Sequence, residues 1–235
     1  MLGVWVNGLA VIVGGLLGSL LRGGLKEKYS RTINYGLALC VIIIGVSGAL
    51  KTGNMLAMIV SVVVGSVIGE ALRIEAGIER LGAWAQARFA KGDTGFAAGF
   101  VNASLLFCVG AMAVVGSLEA GLRNKPDTLL AKAALDGVFS IILASSFGPG
   151  VILSALPLTL YQGGIAALAG VLQPLLTEDL ITEMSAVGSL LIIGIGVNSM
   201  ECLKDRIRVG NMLPAILVPC LYLPLADWLG RVFGG

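Results

Sequence analysis

Histidine is absent from the 235 residues of this chain. Its absence excludes imidazole general bases, His-ligated zinc or haem and histidine proton relays. Proton or cation chemistry is left to carboxylates, Lys, Tyr, Cys and backbone. Charge is scarce, since only 13% of residues are Asp, Glu, Lys or Arg, against about a quarter in an average soluble domain. The four cysteines, Cys40, Cys108, Cys202 and Cys220, lie in or beside apolar runs with no CxxC spacing. They suit small packing residues better than a disulfide framework. No phosphate loop, nucleotide fingerprint or metal-ligand cluster occurs, so no cofactor, no metal and no nucleic-acid partner is expected. ATP-driven transport would need a separate subunit. The first apolar stretch lacks a preceding positive region, which marks it as a retained span and not a cleaved signal peptide.

Apolar residues make up 57% of the chain and glycine contributes 34 positions. A soluble chain of this composition could not cover itself with polar groups. In lipid the apolar side chains meet a suitable solvent, and glycine lets helices approach closely. The expected fold is therefore an all-α integral membrane protein. A bilayer core of about 30 Å needs about 20 apolar residues as helix. Eight such spans are expected, near 2–21, 32–51, 54–72, 97–118, 128–147, 150–175, 183–202 and 210–230. Between the third and fourth, Ile74, Ile78, Leu81, Ala85 and Phe89 recur at helical spacing, with Glu75, Glu79, Arg80 and Arg88 elsewhere. That pattern predicts an amphipathic helix on the membrane surface, anchored by Trp84 and Phe89. Eleven of the 16 Lys and Arg residues fall in the loops after odd-numbered spans. The positive-inside rule places those loops in the cytoplasm and both termini outside.

The segment following Cys40 recurs. A shift of 68 residues superposes Asn34 on Asn102, Cys40 on Cys108 and Gly48 on Gly116. A shift of 151 superposes Ile42, Gly45 and Val46 on Ile193, Gly196 and Val197, and GNML at 53–56 recurs at 210–213. Span two to span seven is an odd shift, so those copies cross the membrane in opposite senses. Inverted repeats of this kind recur in secondary transporters. The chain divides as one membrane domain, 1–235. Within it, 1–73 is a first repeat, 74–92 the surface helix or linker, 97–147 two central spans and 150–235 a second, inverted repeat. Pro149 in FGPG, with Pro214, Pro219 and Pro224 in the last span, predicts broken helices.

Polar groups within the spans are the candidate site. Asp136 lies mid-span with Lys132 one turn earlier on the same face. The pair suits either a cation- or proton-binding carboxylate with a competing lysine, or an ion pair that holds two helices together. An ionisable group at the bilayer centre costs at least ~2.5 kcal/mol, so it faces a partner or water. Asn34, Asn102, Gln162 and Asn198 each offer a donor and an acceptor, for a solute or for a neighbouring helix. Glu119 and Glu183, at span ends, complete the set.

The ordered strings FCVGAMAVVGSLEAGL, KAALDGVFSIILASSFGPGVILSA, YQGG, EMSAVGSLLIIGIGVN and VGNMLPA resemble the bacterial YqgA/YdfK family along nearly the whole chain. That family is catalogued as a domain of unknown function and a multi-pass inner-membrane protein. The resemblance implies a bacterial cytoplasmic membrane location and supplies no substrate. Family members often have E-D-G-L where this chain has Glu119-Ala120-Gly121-Leu122, so no role can rest on the second carboxylate here. The expected function is a small secondary transporter or channel for an ion or small polar solute, with the lipid bilayer and a possible homodimer as partners. The alternative is a structural or regulatory membrane protein without flux. An enzyme using Asp136 and Glu119 as a carboxylate pair is not expected, because they sit on different spans without a catalytic motif.

Overall fold

The computed structural model describes residues 1–22, 27–89, 95–200 and 202–233. The side chains of Asn34, Leu81, Ala85 and Phe89 lie outside the described residues. Every described element is helical. In chain order these are α1 (Leu2–Arg22), α2 (Glu27–Ala49), α3 (Met55–Leu72), α4 (Ile74–Phe89), α5 (Phe96–Cys108), α6 (Ala111–Leu122) and α7 (Asp127–Phe147). Then follow α8 (Gly150–Leu153), α9 (Ala155–Ala167), α10 (Ala169–Leu172), α11 (Glu178–Ser199), a 3₁₀ segment (Val209–Leu217) and α12 (Pro219–Phe233). Among the described residues six helical stretches are long and apolar enough to cross a bilayer, or seven if the bent pair α5–α6 is one span. The apolar part of α2, Ala38–Ala49, is shorter. Large apolar side chains such as Trp5, Leu20, Val67 and Leu221 are exposed, as expected of surfaces that face lipid.

Two breaks differ from uninterrupted spans. The run 97–118 divides at Val109 and Gly110, and the two halves bend by 62°. Val109 is extended, and Gly110 has φ 120, a conformation that disfavours any side chain. The last span begins as 3₁₀ with Pro214 inside it and becomes α-helix only at Pro219. Pro214 cannot donate to the preceding turn, so regular α-helix does not propagate through it. The FGPG join is a turn, with Gly148 at φ 85 and Pro149 capping α8.

Three helix pairs organise the bundle. On α1, Gly3 lies against Leu129, Gly14 against Gly137 and Ser140, and Gly18 against Ile141 and Ala144. Both numbers rise together, so α1 and α7 run parallel. Gly65 and Gly69 of α3 lie against Ala215 and Asn211, which makes that pair antiparallel. The pair α2–α11 is antiparallel and also reciprocal. A Cβ on Gly45 would meet Ile193 Cγ1 at 2.6 Å, the Ser189 carbonyl at 2.7 Å and Ile193 N at 2.9 Å. A Cβ on Gly196 would meet Ile42 Cγ1 at 2.6 Å, the Ala38 carbonyl at 3.0 Å and Ile42 N at 3.1 Å. Adding 151 to Gly45, Ile42 and Ala38 gives Gly196, Ile193 and Ser189. Each contact is thus the counterpart of the other, as across a local two-fold axis perpendicular to both helices.

The two GNML motifs are held alike, each by a carboxylate from elsewhere in the chain. Glu183 of α11 accepts the Gly53 N–H at 2.7 Å, the Asn54 N–H at 3.1 Å and the Thr52 hydroxyl at 2.6 Å. Glu75 of α4 accepts the Gly210 N–H at 2.5 Å, and its own N–H donates to Asn211 Oδ1 at 2.7 Å. Glu75 therefore leaves the polar face that its spacing in α4 suggests. Burial pushes its carboxyl above the ordinary range, opposed by the Gly210 N–H. Asn211 Nδ2 also reaches Glu70, which pairs with Arg208 at 2.6 Å. Glu183→Ala would strand two backbone donors and a hydroxyl, at an expected cost of about 2–4 kcal/mol. A thermal-unfolding scan in detergent would show this as a lowered Tm.

Candidate functional site

Four polar side chains from three helices meet inside the bundle. Lys132 and Asp136 sit one turn apart on α7, so both project from the same face. Asp136 lies nine residues from Asp127 and eleven from Phe147, near the middle of α7. Lys132 Nζ donates to both carboxylate oxygens, at 2.8 and 2.7 Å. Asn7 of α1 donates through Nδ2 to Asp136 at 3.0 Å and to Gln162 Oε1 of α9 at 3.3 Å. The Ser140 hydroxyl donates to the Asp136 carbonyl at 2.7 Å, which keeps it out of the carboxylate's shell. Asn7 and Gln162 are fully buried, and Asp136 and Lys132 nearly so.

The charges in this cluster cancel and both carboxylate oxygens have donors. Its amides are only partly used. Asn7 Oδ1, an acceptor, and Gln162 Nε2, a donor, have no partner among the described residues. An unmade hydrogen bond on a buried group costs about 1–3 kcal/mol. The cluster thus retains one donor and one acceptor for something small and polar.

Apolar layers close it on both sides. Val4, Leu129, Ala120 and Ala166 form one layer. Val11, Leu143, Leu158 and Phe107 belong to the other. Along each of α1, α7 and α9 the polar residue is bracketed by these layers, as Asn7 is by Val4 and Val11. Small residues at Gly14, Gly18 and Gly137 bring α1 and α7 close enough for the Asn7 amide to reach Asp136.

The other candidates lie elsewhere. Asn102 lines a cavity of about 10 Å³ among α2, α5, α7 and α11, room for one water at most. Both ends of the Asn198 amide are taken by the backbone of Ile207, at 2.8 and 2.9 Å, which ties the loop after α11 to that helix. Glu119 accepts the Thr128 hydroxyl at 2.6 Å. Thr128 is eight residues before Asp136, about 12 Å along the helix, so the two carboxylates do not share a site. Glu183 holds the Thr52–Asn54 turn before α3, as described. Asn34, as noted, has its side chain outside the described residues. Asn7 is the member absent from the expected set, although an amide in the run GVWVNGLAVIV is itself the signal.

A larger cavity, about 230 Å³, opens at the α5–α6 break. Its lining includes Cys108, Val109, Gly110, Tyr161 of α9 and Met184 of α11. Cys108 lies within electrostatic reach of Lys132 and Asp136, and Tyr161 within reach of Cys108. Tyr161 is also the chain neighbour of Gln162. The cavity and the cluster are therefore adjacent.

The family described as "Protein of unknown function (DUF554)" matches residues 2–223. The "Uncharacterized membrane protein YdfK" of Bacillus subtilis (strain 168) is 30% identical over 238 residues, covering 100% of this chain and 99% of that protein. The "Uncharacterized protein YqgA" of Escherichia coli (strain K12) is 32% identical over 234 residues, covering 97% of each. No solved structure matches the chain.

Proposed function

The chain belongs to the DUF554 family of proteins of unknown function and is similar to an uncharacterised membrane protein, and from that premise we propose a small secondary transporter or channel of the bacterial cytoplasmic membrane. It moves an ion or small polar solute past the Asn7–Lys132–Asp136–Gln162 cluster. One observation carries this reading: a buried, charge-compensated cluster at mid-depth keeps an unpartnered donor and acceptor between two apolar layers. A bundle built only for stability gains nothing from such a group, since apolar replacement of a buried ion pair is often neutral or better. Parting the layer at Val4 and Leu129 would open the cluster to one face. Parting the layer at Val11 and Leu143 would open it to the other.

The pairing of α2 with α11 supports an inverted repeat, because a two-fold axis perpendicular to two membrane-crossing helices lies in the membrane plane. In a variant with all four cysteines replaced by serine, the exposed positions Lys51→Cys and Arg206→Cys are expected on opposite faces. An impermeant thiol reagent should label Lys51→Cys from outside and Arg206→Cys only after permeabilisation. Labelling of both from one side would refute the inverted arrangement.

The transport reading is tested in proteoliposomes. An ion and small-solute flux screen is expected to find a flux that Asp136→Asn abolishes while the protein still reconstitutes. Flux retained with unchanged ion dependence would remove Asp136 from the coupling role. If no solute crosses, the chain is a structural or regulatory membrane protein, a role for which the mutually neutralised Lys132–Asp136 pair is also suited.

A further inference from the structure

The cavity at the α5–α6 break has a lining that discriminates among solutes. Its volume of about 230 Å³ falls below the ~300 Å³ at which drug-sized pockets begin. No lining side chain carries a formal charge. The adjacent charges, Lys132 and Asp136, neutralise one another at 2.7 Å. A bare ion placed here would lose its hydration without a counter-charge, at a cost of several kcal/mol. The apolar walls, among them Leu105, Ile181, Leu213 and Ile216, instead favour a hydrocarbon body.

Three polar features accompany those walls, the Ser185 side chain, the Tyr161 hydroxyl and a stretch of irregular backbone. Tyr161 lines the cavity, and its hydroxyl has no hydrogen-bond partner among the described residues. The chain at Val109 and Gly110 leaves the helix at this point and lines the same space. Irregular backbone at membrane depth persists where it is buried in protein or lines a cavity. Gly188 of α11 allows the break to sit here, since a Cβ at that position would meet Val109 Cγ1 at 2.5 Å.

We propose that this cavity binds a small uncharged amphiphile, an apolar body of a few carbons bearing one hydroxyl, with Tyr161 meeting the polar end. This goes beyond the transport reading, in which the polar cluster passes an ion or small polar solute, and it rests on that reading only for passage of the amphiphile. Occupancy and flux are separate measurements, so either can fail alone.

Cys108 lines the cavity and reports on it. In full-length protein in lipid nanodiscs, with Cys40, Cys202 and Cys220 replaced by serine, N-ethylmaleimide should alkylate Cys108. Phenol should slow that reaction saturably, about fivefold once its concentration exceeds its Kd fourfold. A variant keeping only the exposed Cys40 controls for general effects on the bilayer and should be unaffected. Tyr161→Phe should weaken protection by phenol, and Ile216→Trp or Met184→Phe, which fill the cavity, should remove it. Sodium chloride should give none. Hexane protecting as well as phenol would overturn the proposal in favour of a hydrocarbon or acyl-chain site. Protection insensitive to Tyr161→Phe would also overturn it.

Discussion

Asp136→Ala is expected to cost about 3–5 kcal/mol, because it leaves the Lys132 ammonium buried without its counter-charge. It also removes the acceptor for the Asn7 amide. The double variant Lys132→Met/Asp136→Leu should behave differently. With both charges gone, the desolvation penalty goes with them, and stability should return to near that of the parent. Thermal unfolding of the two variants in the same detergent checks the difference. The comparison also separates the two roles open to the pair. A double variant that is stable and retains flux makes the pair a structural fastener. One that is stable and has lost flux makes it part of the pathway.

Gly69→Ala is the second large effect. A methyl there would overlap the Asn211 carbonyl and Cα. The obstacle is backbone, so no rotamer change relieves it. The 3₁₀ segment would have to move away from α3, pulling Asn211 from Glu75 and Glu70. Overpacking in a close-packed interior costs typically ~1–3 kcal/mol and occasionally more, and an unyielding backbone contact places this case at or above that upper end. The control is Gly77→Ala in α4, where nothing lies within 4 Å of the new Cβ. That change should stabilise by about 0.5–1 kcal/mol through helix propensity. Opposite shifts in Tm from one chemical change would locate the cause in the α3 contact.

Much of this architecture was legible as composition and pattern. Membrane residence follows from the shortage of charge. The Lys132–Asp136 pair follows from helical spacing, and Gln162 from its place in an apolar run. Other features were hidden for identifiable reasons. An amide reveals its presence in a span but not its direction. Asn198 and Gln162 looked equivalent, yet one is consumed by the Ile207 backbone and the other keeps a free donor. Glu183 looked like an ordinary span-end carboxylate and Glu75 like part of the polar face of α4, because the amides they hold are 129 to 135 residues away. The break at Gly110 sits in an unbroken apolar run, where hydropathy is blind to backbone conformation. The GNML repeat was visible as a string, but its being clasped by distant carboxylates is a property of the tertiary structure.

The seam between α2 and α11 joins Gly45 to Ser189, residues 144 positions apart. At about 5–20 residues per second of synthesis, α2 spends roughly 7–29 s in the bilayer before its mate has been translated. Throughout that interval the first half of the chain presents an unmatched groove to lipid and a bare Gly53–Asn54 turn to water. A nascent chain stalled before α11 is therefore an unfinished clasp, with the Gly53 and Asn54 N–H groups still waiting for Glu183.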